Sequence, residues 1–338
     1  MNKIYPLIRN LLFLIPAESS HSIALMMLSI FERIGLIRQR SYEDVNKKRI
    51  QSVIFKNKIG LAAGLDKNAE YINVFSKLGF GFLEVGTVTP KSQPGNIKPR
   101  LFRDVKNKAL LNSFGFNNVG IKKFIENIKK SNRGVTLGIN IGKNYFTPLK
   151  NAVDDYLKVM KKTYKYADYF TINISSPNTK NLRDLHTSQN LVKFLKKIDL
   201  ERTRLLKIKK IIIPIFLKIS PDISDENLKS LIKEAIRFNI DGLILTNTTV
   251  DKDEIDIKYQ DYPGGVSGEP LKKKSEALLK KCKLISKNKL FLISVGGIMC
   301  PDDAEKRLKL GADLIQIYTG FIYSGPKLIH DIHKRISS

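Results

Sequence analysis

Apolar runs of strand length alternate with amphipathic helical patterns from about residue 57 to the end of the chain. The predicted strands cover residues 59–63, 82–86, 135–140, 169–174, 213–219, 242–246, 291–295 and 314–318. Helical spacing of apolar residues predicts helices over 70–78, 119–130, 153–167, 190–197, 225–238, 273–287 and 302–310. Continuous apolar strands separated by helices are typical of a parallel sheet covered on both faces. Eight such units predict an α/β fold of the (β/α)8 TIM-barrel type, with a doubly wound sheet as the main alternative.

The residues that end these strands favour the barrel. In chain order the ends read AAGLDK, EVGTVTP, GINIGKN, NISSPNT, LKIS, LTNTT, SVGG and IYTG. Nearly all carry glycine or a hydrogen-bonding side chain, and in a barrel these ends meet at one rim. The last two ends are where barrels commonly hold a phosphate group through backbone N–H groups, and Gly268 before a helix can add another.

The first forty residues differ from the rest. Their longest apolar runs are far shorter than the roughly 20 residues of a membrane-spanning helix, and no signal-peptide cleavage pattern follows. Instead, Ile4, Leu7, Ile8, Leu11 and Leu12 fall on one helical face, Pro16 interrupts the helix, and Ser19 or Ser20 can cap a second one. Two such amphipathic helices either lie in a membrane interface or pack on the barrel; the residues alone leave both open.

Composition limits the alternatives. Hydrophobic residues make up 42% and charged residues 27% of the chain, enough for a buried core. Cys282 and Cys300 form no CxxC pair, and the four histidines show no metal-ligand spacing, so we predict neither disulfides nor a metal site; both cysteines are expected to be buried apolar residues. The net charge of +27 is compatible with nucleic-acid binding or attraction to an anionic membrane. Lysines recur along the whole length without interleaved exposed aromatics. We therefore favour a third interpretation of the charge, that the lysines are simply spread over solvated surfaces, and we predict no nucleic-acid partner.

The polar rim and the phosphate loops suit either a flavin or a sugar phosphate. No nicotinamide fingerprint and no GxxxxGK[ST] loop is present. A flavin requires hydrogen-bonding groups along its ring edge and a positive group near N1. Lys218 suits the second requirement, and Asn140 and Asn173 suit the first.

Several motifs together resemble one family, the dihydroorotate dehydrogenases. They are AAGLDK at 62–67, EVGTVTPKSQPGN at 84–96, NSFGFNN at 112–118, INISSPNT at 172–179 and SVGGI at 294–298. The start of the chain, through Tyr5-Pro6, Arg9, Leu12-Phe13, Pro16, Glu18 and His21, resembles the membrane-bound, quinone-reducing class 2 of that family. The same class is indicated by Ser176, because soluble members place cysteine at this position.

The resemblance implies a set of site residues. Contacts to flavin mononucleotide (FMN) fall on Ala63, Gly64, Leu65, Asp66, Lys67, Thr87, Asn140, Asn173, Lys218, Thr246, Gly268, Gly297, Tyr318 and Thr319. Contacts to orotate fall on Lys67, Asn112, Ser113, Phe114, Gly115, Phe116, Asn173, Asn178, Asn247 and Thr248. The family often has arginine where this chain has Ser113, which weakens a substrate-carboxylate role for that side chain. We expect Arg100 and Arg103 to cap the barrel or border the N-terminal helices.

The resemblance also implies the reaction. Ser176 removes a proton from C5 of dihydroorotate while a hydride leaves C6 for FMN, in pyrimidine biosynthesis; Thr179 and water near Phe116 can carry the proton onward. Residues 1–40 form a quinone-access segment and 41–338 the catalytic barrel. We expect a peripheral protein, monomeric or weakly dimeric, on the cytoplasmic face of the inner membrane. The alternatives are a soluble FMN barrel oxidising dihydroorotate or another dihydropyrimidine with a different acceptor, and a flavin-free sugar-phosphate enzyme.

Overall fold

Thirteen strands and eleven α-helices make up the computed structural model, which describes residues 5–44, 47–132, 134–179, 181–186 and 188–337. The strands are β1 (Lys48–Ile50), β2 (Val53–Phe55), β3 (Ile59–Leu61), β4 (Phe82–Val88), β5 (Leu101–Asp104), β6 (Ala109–Asn112), β7 (Thr136–Ile141), β8 (Tyr169–Asn173), β9 (Ile215–Ile219), β10 (Gly242–Leu245), β11 (Gly265–Gly268), β12 (Phe291–Val295) and β13 (Leu314–Ile317). The helices are α1 (Tyr5–Phe13), α2 (Ala17–Arg33), α3 (Ile72–Lys77), α4 (Gly120–Lys129), α5 (Ala152–Thr163), α6 (Ser188–Lys209), α7 (Asp225–Arg237), α8 (Lys272–Ser286), α9 (Pro301–Lys309), α10 (Thr319–Ser324) and α11 (Lys327–Ser337).

The eight predicted strands close into a parallel barrel in the order β3, β4, β7, β8, β9, β10, β12, β13. The last strand pairs with the first, with Gln316 opposite Gly60, and this closure excludes the doubly wound sheet. The TIM-barrel prediction is therefore confirmed. A barrel brings the C-terminal ends of all its strands to one rim, which is the geometry that the candidate site requires.

An aromatic plug fills the opposite, N-terminal end of the barrel. The hairpin of β1 and β2 inserts Phe55 against Phe82, with ring centroids 5.1 Å apart in an edge-to-face arrangement. Glycines on neighbouring strands make room for these rings: a Cβ on Gly60 would lie 2.2 Å from Phe82, and one on Gly138 would lie 2.0 Å from Tyr169. These rings fill this end of the barrel, so the site is to be sought at the other end.

Two features outside the N-terminal segment were not predicted from the sequence. Strands β5, β6 and β11 form an antiparallel three-stranded sheet, in which Asn112 pairs with Gly265, 153 positions further along the chain. Helix α6 is 22 residues long and continues twelve residues beyond the predicted end at 197, through a stretch rich in charged residues. Cys282 is buried as predicted, but Cys300 is only partly buried and lies at the N-cap of α9, so its prediction was wrong.

The N-terminal helices pack on the barrel and also carry an outward apolar face. Tyr5 Oη donates to Ile322 O at 2.6 Å, and Arg9 donates to Tyr323 O at 3.0 Å. Leu7 and Leu11 are nevertheless 67% and 68% exposed. The predicted single apolar face is thus divided between an inner and an outer side; Ile4 lies outside the described residues. Pro16 occupies the N-cap of α2, and Ser19 and Ser20 lie inside that helix, so the predicted serine cap was wrong.

Arginine side chains join this segment to β5, as predicted for Arg100 and Arg103. Arg100 pairs with Glu18 at 2.8 Å, and Arg103 donates to the Ile15 carbonyl oxygen with its guanidinium carbon 4.3 Å from the centre of the Phe13 ring. Among the described residues, no helix combines the length and hydrophobicity needed to cross a bilayer.

Candidate active site

A cavity opens at the C-terminal ends of the barrel strands. Residues at the ends of β3, β4, β8, β9, β10, β12 and β13 line it, together with β6 and β11 of the small sheet. The predicted site residues that line it are Ala63, Gly64, Lys67, Thr87, Asn112, Phe114, Gly115, Phe116, Asn173, Ser176, Asn178, Lys218, Thr246, Asn247, Thr248, Gly268, Gly297, Tyr318 and Thr319. The structure therefore gathers most of the predicted set around one space.

Four predicted site residues do not line this cavity. Leu65 is buried and faces a second, apolar cavity beside the N-terminal helices. Asp66 accepts the backbone N–H groups of Glu70 and Tyr71, both at 2.9 Å; burial raises the pKa of its carboxyl to about 6 despite these bonds. Both side chains turn away behind Gly64, whose φ of +100° reverses the chain. Ser113 holds its loop through its backbone, with its N–H donating to Arg100 O at 2.9 Å.

The fourth of these residues, Asn140, lies in a polar layer immediately below the cavity. Its Oδ1 accepts from Thr87 Oγ1 at 2.6 Å and from Asn173 Nδ2 at 3.2 Å. Its Nδ2 donates to Glu84 Oε1 at 2.7 Å, and Gln316 donates to the other Glu84 oxygen at 2.8 Å. Because Asn140 orients both Thr87 and Asn173, it acts on the cavity through them rather than by direct contact.

Ser176 presents a hydroxyl group to the cavity from the loop after β8. Its side chain is 5% exposed, and its Oγ accepts the backbone N–H of Asn178 at 3.2 Å. No protein acceptor for the hydroxyl proton is found among the described residues. Thr179, in the same loop, also has a buried hydroxyl oxygen without a hydrogen-bond partner there. Two hydroxyl groups of one loop thus lack an acceptor among the described residues.

Asparagine side chains and Lys67 surround one part of the cavity. Asn178 Nδ2 donates to Asn112 O at 3.1 Å, and Asn247 Nδ2 donates to Ser175 Oγ at 3.0 Å, so the loops after β8 and β10 and the end of β6 hold each other. The Lys67 ammonium donates to Gly64 O at 2.9 Å and lies 4.1 Å from the centre of the Phe114 ring. Burial lowers the pKa of Lys67 to about 8. The N–H groups of Lys67 and the asparagines that are not used in these hydrogen bonds suit a small planar anion.

Lys218 supplies a second cation, on the strand next to Asn173. The two residues are directly paired between β8 and β9. The Lys218 side chain is buried, and burial lowers its pKa. Within the described part of the chain, its ammonium has neither a hydrogen bond nor an ion pair. The Glu84 carboxylate in the polar layer below the cavity partly opposes this effect of burial on the pKa, and a ligand that brings negative charge would stabilise the ammonium further.

Glycine-rich loops after β12 and β13 form the opposite wall. Gly296 and Gly297 have φ values of +104° and +71°, and a Cβ on Gly297 would lie 2.4 Å from Lys272 Cα. The fully buried Arg307 holds this turn by donating to Gly296 O at 2.8 Å and to Ser294 Oγ at 3.2 Å. The turn therefore packs directly against the start of α8, and it follows β12, where barrels commonly hold a phosphate through backbone N–H groups.

The structure adds residues to the lining that the sequence prediction omitted. Gln316 interrupts an otherwise apolar strand, and that single polar position was a usable signal. Asn117, in the NSFGFNN motif, has a buried side-chain oxygen without a partner in the described chain. Leu271, Ile298 and Ser267 carried no signal of their own. They reach the cavity only because α8, β12 and β11 converge there.

A second cavity lies between the N-terminal helices and the barrel. Its walls are mainly apolar, as at Leu12 of α1, Phe31 of α2 and Leu110 of β6, but they also include Arg9, His21 and Arg103. Tyr318 lines both this cavity and the polar one, so the two spaces are separated by a single side chain at that point. Among the described residues, no group of His, Cys, Asp and Glu side chains is arranged to hold a metal ion.

Comparisons with known proteins agree with this geometry. A sequence profile of the dihydroorotate dehydrogenase family matches residues 45–338. A curated protein named dihydroorotate dehydrogenase (quinone) from Nitrosomonas eutropha is 44% identical over 335 residues, covering 99% of this chain and 98% of its own. A protein of the same name from Idiomarina loihiensis is 45% identical over 331 residues, covering 97% and 99%.

Solved structures of similar shape come from Eimeria tenella. The enzyme abbreviated DHODH, in complex with ferulenol, has a TM-score of 0.84 and 33% identity, covering 93% of this chain and 90% of its own. Its ligand-free form has the same TM-score and 34% identity, with 93% of each chain covered.

Proposed function

The chain belongs to the dihydroorotate dehydrogenase family, and from that premise we propose that it binds FMN in the polar cavity, uses Ser176 as catalytic base and delivers electrons to a membrane quinone. It is a flavin-dependent oxidoreductase that oxidises dihydroorotate to orotate in pyrimidine biosynthesis. One observation carries the proposal for the site. Ser176, Lys67 and Lys218 line the same cavity, which supports assigning them as hydroxyl base, anion-binding cation and cation for the flavin ring.

The cavity fits FMN by its charges and its glycines. Lys218 supplies a positive charge, Asn140 holds Thr87 and Asn173 along one edge, and the turn at Gly296 and Gly297 lines the cavity after β12, where barrels commonly bind phosphate. When bound, a flavin accepts a hydride at N5 and holds the two electrons until an acceptor removes them. Leu65 and Asp66 are not part of this proposal, because both side chains point away from the cavity.

The substrate side is formed by Lys67, Asn112, Asn178, Asn247 and Thr248. Their donors surround a planar anion from several directions, and the hydrogen bonds among their loops fix them before substrate arrives. Such preorganisation reduces the entropic cost of reaching a reactive geometry. The side chain of Ser113 has no place in this set.

Ser176 takes the proton from C5 of dihydroorotate in this proposal. A neutral hydroxyl is a poor base at neutral pH, so its own proton has to leave as the new O–H bond forms. The unpartnered hydroxyl of Thr179 lies in the same loop and supports an onward route. The burial of Ser176 keeps bulk water from competing for that transfer.

The N-terminal segment provides the quinone site. The second cavity is mainly apolar, opens beside α1 and α2, and reaches Tyr318 at the wall of the polar cavity. The outward side chains of Leu7, Leu11 and Leu14 are 67%, 68% and 82% exposed, which suits contact with lipid. We therefore assign residues 1–40 to membrane and quinone access and 41–338 to the catalytic barrel. The protein is peripheral on the cytoplasmic face of the inner membrane, as a monomer or weak dimer.

A visible spectrum tests the flavin and the reaction together. The purified protein is expected to be yellow and to bleach anaerobically on addition of dihydroorotate, and heat extraction is expected to release FMN. A colourless protein that neither takes up FMN nor oxidises dihydroorotate contradicts the proposal and favours the sugar-phosphate alternative.

A second experiment tests the membrane quinone. Leu7→Gln, Leu11→Gln and Leu14→Gln together are expected to reduce sedimentation with anionic vesicles and to slow reduction of a long-chain quinone, while reduction of a soluble dye is unchanged. Leu200→Gln with Leu284→Gln is the matched control, since both leucines are exposed on barrel helices. Equal vesicle binding by the two variants contradicts the membrane role and favours a soluble acceptor.

A further inference from the structure

A continuous set of contacts runs from the first turn of α2 into the polar cavity. It begins at Glu18, which accepts from Arg100 Nη2 at 2.8 Å and Nε at 3.3 Å. Arg100 is buried and also donates to the carbonyl oxygens of Pro94 at 2.5 Å and Asn96 at 2.8 Å. Its guanidinium group is therefore held in place between the barrel and the N-terminal segment.

The Phe114 ring lies beside both Arg100 and Lys67 and so connects the two cations. The guanidinium carbon of Arg100 lies 5.7 Å from the centre of the Phe114 ring, and the Lys67 ammonium lies 4.1 Å from the same centre. Both Phe114 and Lys67 line the cavity. Two cations beside one ring attract the ring but repel each other, so the arrangement depends on a nearby negative charge. Glu18 provides it.

We propose that Glu18 is a positioning residue for substrate binding: through Arg100 and Phe114 it keeps the Lys67 ammonium charged and in place, so that the N-terminal segment sets the affinity of the cavity for its anionic ligand. The inference rests on the proposed function, because it takes orotate and dihydroorotate as those anions. It gives the quinone-access segment a second role, in the half-reaction that oxidises dihydroorotate.

The charges around Lys67 support this assignment. Burial is the largest influence and lowers the pKa of Lys67 to about 8; Glu18 and Asp66 oppose it and Arg100 adds to it. His21, on the same helix as Glu18, adds no positive charge, since burial and Lys67 lower its pKa to about 3. Lys98 lies 3.6 Å from Glu18 on the solvent side. Removing the Glu18 charge leaves Arg100 uncompensated beside Lys67, so Lys67 loses its proton at lower pH.

Calorimetric titration of the holoenzyme with orotate tests the proposal without involving the catalytic base. Because an anion binds the charged form of Lys67, the affinity for orotate is highest below the pKa of Lys67. It falls as the pH rises through that pKa. Glu18→Gln is expected to weaken orotate binding by about five- to tenfold at pH 9 and by less than about twofold at pH 6.5. Glu32→Gln is the matched control: it removes one carboxylate from the same helix, but Glu32 pairs with Lys77 at 2.5 Å, away from the cavity.

Two further variants separate charge from geometry and guard against misfolding. Glu18→Asp keeps the charge and is expected to retain the pH dependence of the parent. In a Phe114→Leu background, Glu18→Gln is expected to have a smaller effect, because the intervening ring is gone. The proposal is overturned if folded, flavin-containing Glu18→Gln binds orotate like Glu32→Gln at every pH, or if the effect of Glu18→Gln is undiminished in the Phe114→Leu background. Failure of the parent itself to bind orotate contradicts the proposed function instead.

Discussion

Replacing Ser176 with alanine separates the chemistry of the site from its stability. The Ser176 side chain makes one hydrogen bond in the described structure, accepting from Asn178 N at 3.2 Å. Loss of one such bond costs about 1 kcal/mol, which for a chain of this size lowers Tm by no more than about 4 °C. The flavin is expected to remain bound, because the Ser176 side chain is not among the groups assigned to it.

The expected loss in rate is much larger than the loss in stability. A positioned base contributes about 10²–10⁴-fold, or about 2.7–5.4 kcal/mol of activation free energy at 1.36 kcal/mol per tenfold. The measurement is the anaerobic single-turnover rate of bleaching after mixing with saturating dihydroorotate, which excludes the quinone step.

Ser175→Ala is the matched control for this prediction. Ser175 is buried and donates to Asn173 Oδ1 at 3.1 Å, but it does not line the cavity. Its loss is expected to slow the reaction by less than about tenfold, the size of a hydrogen-bond effect. If the Ser176→Ala protein bleaches at the parent rate, or only as slowly as Ser175→Ala, Ser176 is not the base.

Three further substitutions test other parts of the structure. Lys218→Met is expected to weaken FMN retention on dialysis, because it removes the buried ammonium assigned to the flavin ring; unchanged retention would refute its cofactor role. Gly138→Ala is expected to destabilise the fold by about 1–3 kcal/mol, since its Cβ would lie 2.0 Å from Tyr169, and an unchanged unfolding midpoint would contradict this. Arg183→Ala is expected to lower kcat about 10–100-fold with little change in flavin content, because Arg183 donates to Ser175 O at 3.1 Å and holds the base loop; a change confined to KM would argue against that role.

Polar residues at strand ends were predictable because a parallel barrel places all such ends at one rim. How deep each of these side chains lies in the barrel was not predictable. Asn140 and Asn173 both follow apolar strand residues, yet Asn140 pairs with Thr171, so Asn173 stands two residues nearer the mouth. The register between β7 and β8 therefore decides that Asn173 lines the cavity and Asn140 supports it from below.

In the N-terminal segment, too, the sequence predicted the elements but not how they are placed. Its apolar spacing predicted two amphipathic helices, because helix periodicity is a local property of the chain. Which apolar side chains face the barrel and which face outward depends on where the helices dock. Leu12 lines the inner cavity while Leu11, one position earlier, is largely exposed.

The sequence by itself determined the barrel, the rim of polar residues and the class of chemistry, since alternating apolar elements and short motifs are written in neighbouring positions. Only the tertiary structure decided that Leu65 and Asp66 turn away behind Gly64, and that Glu18 reaches Arg100, 82 positions away in the chain. Such contacts depend on chain closure and on docking between distant elements. No local sequence pattern predicts these contacts, because they stabilise the protein only after folding has brought both partners together.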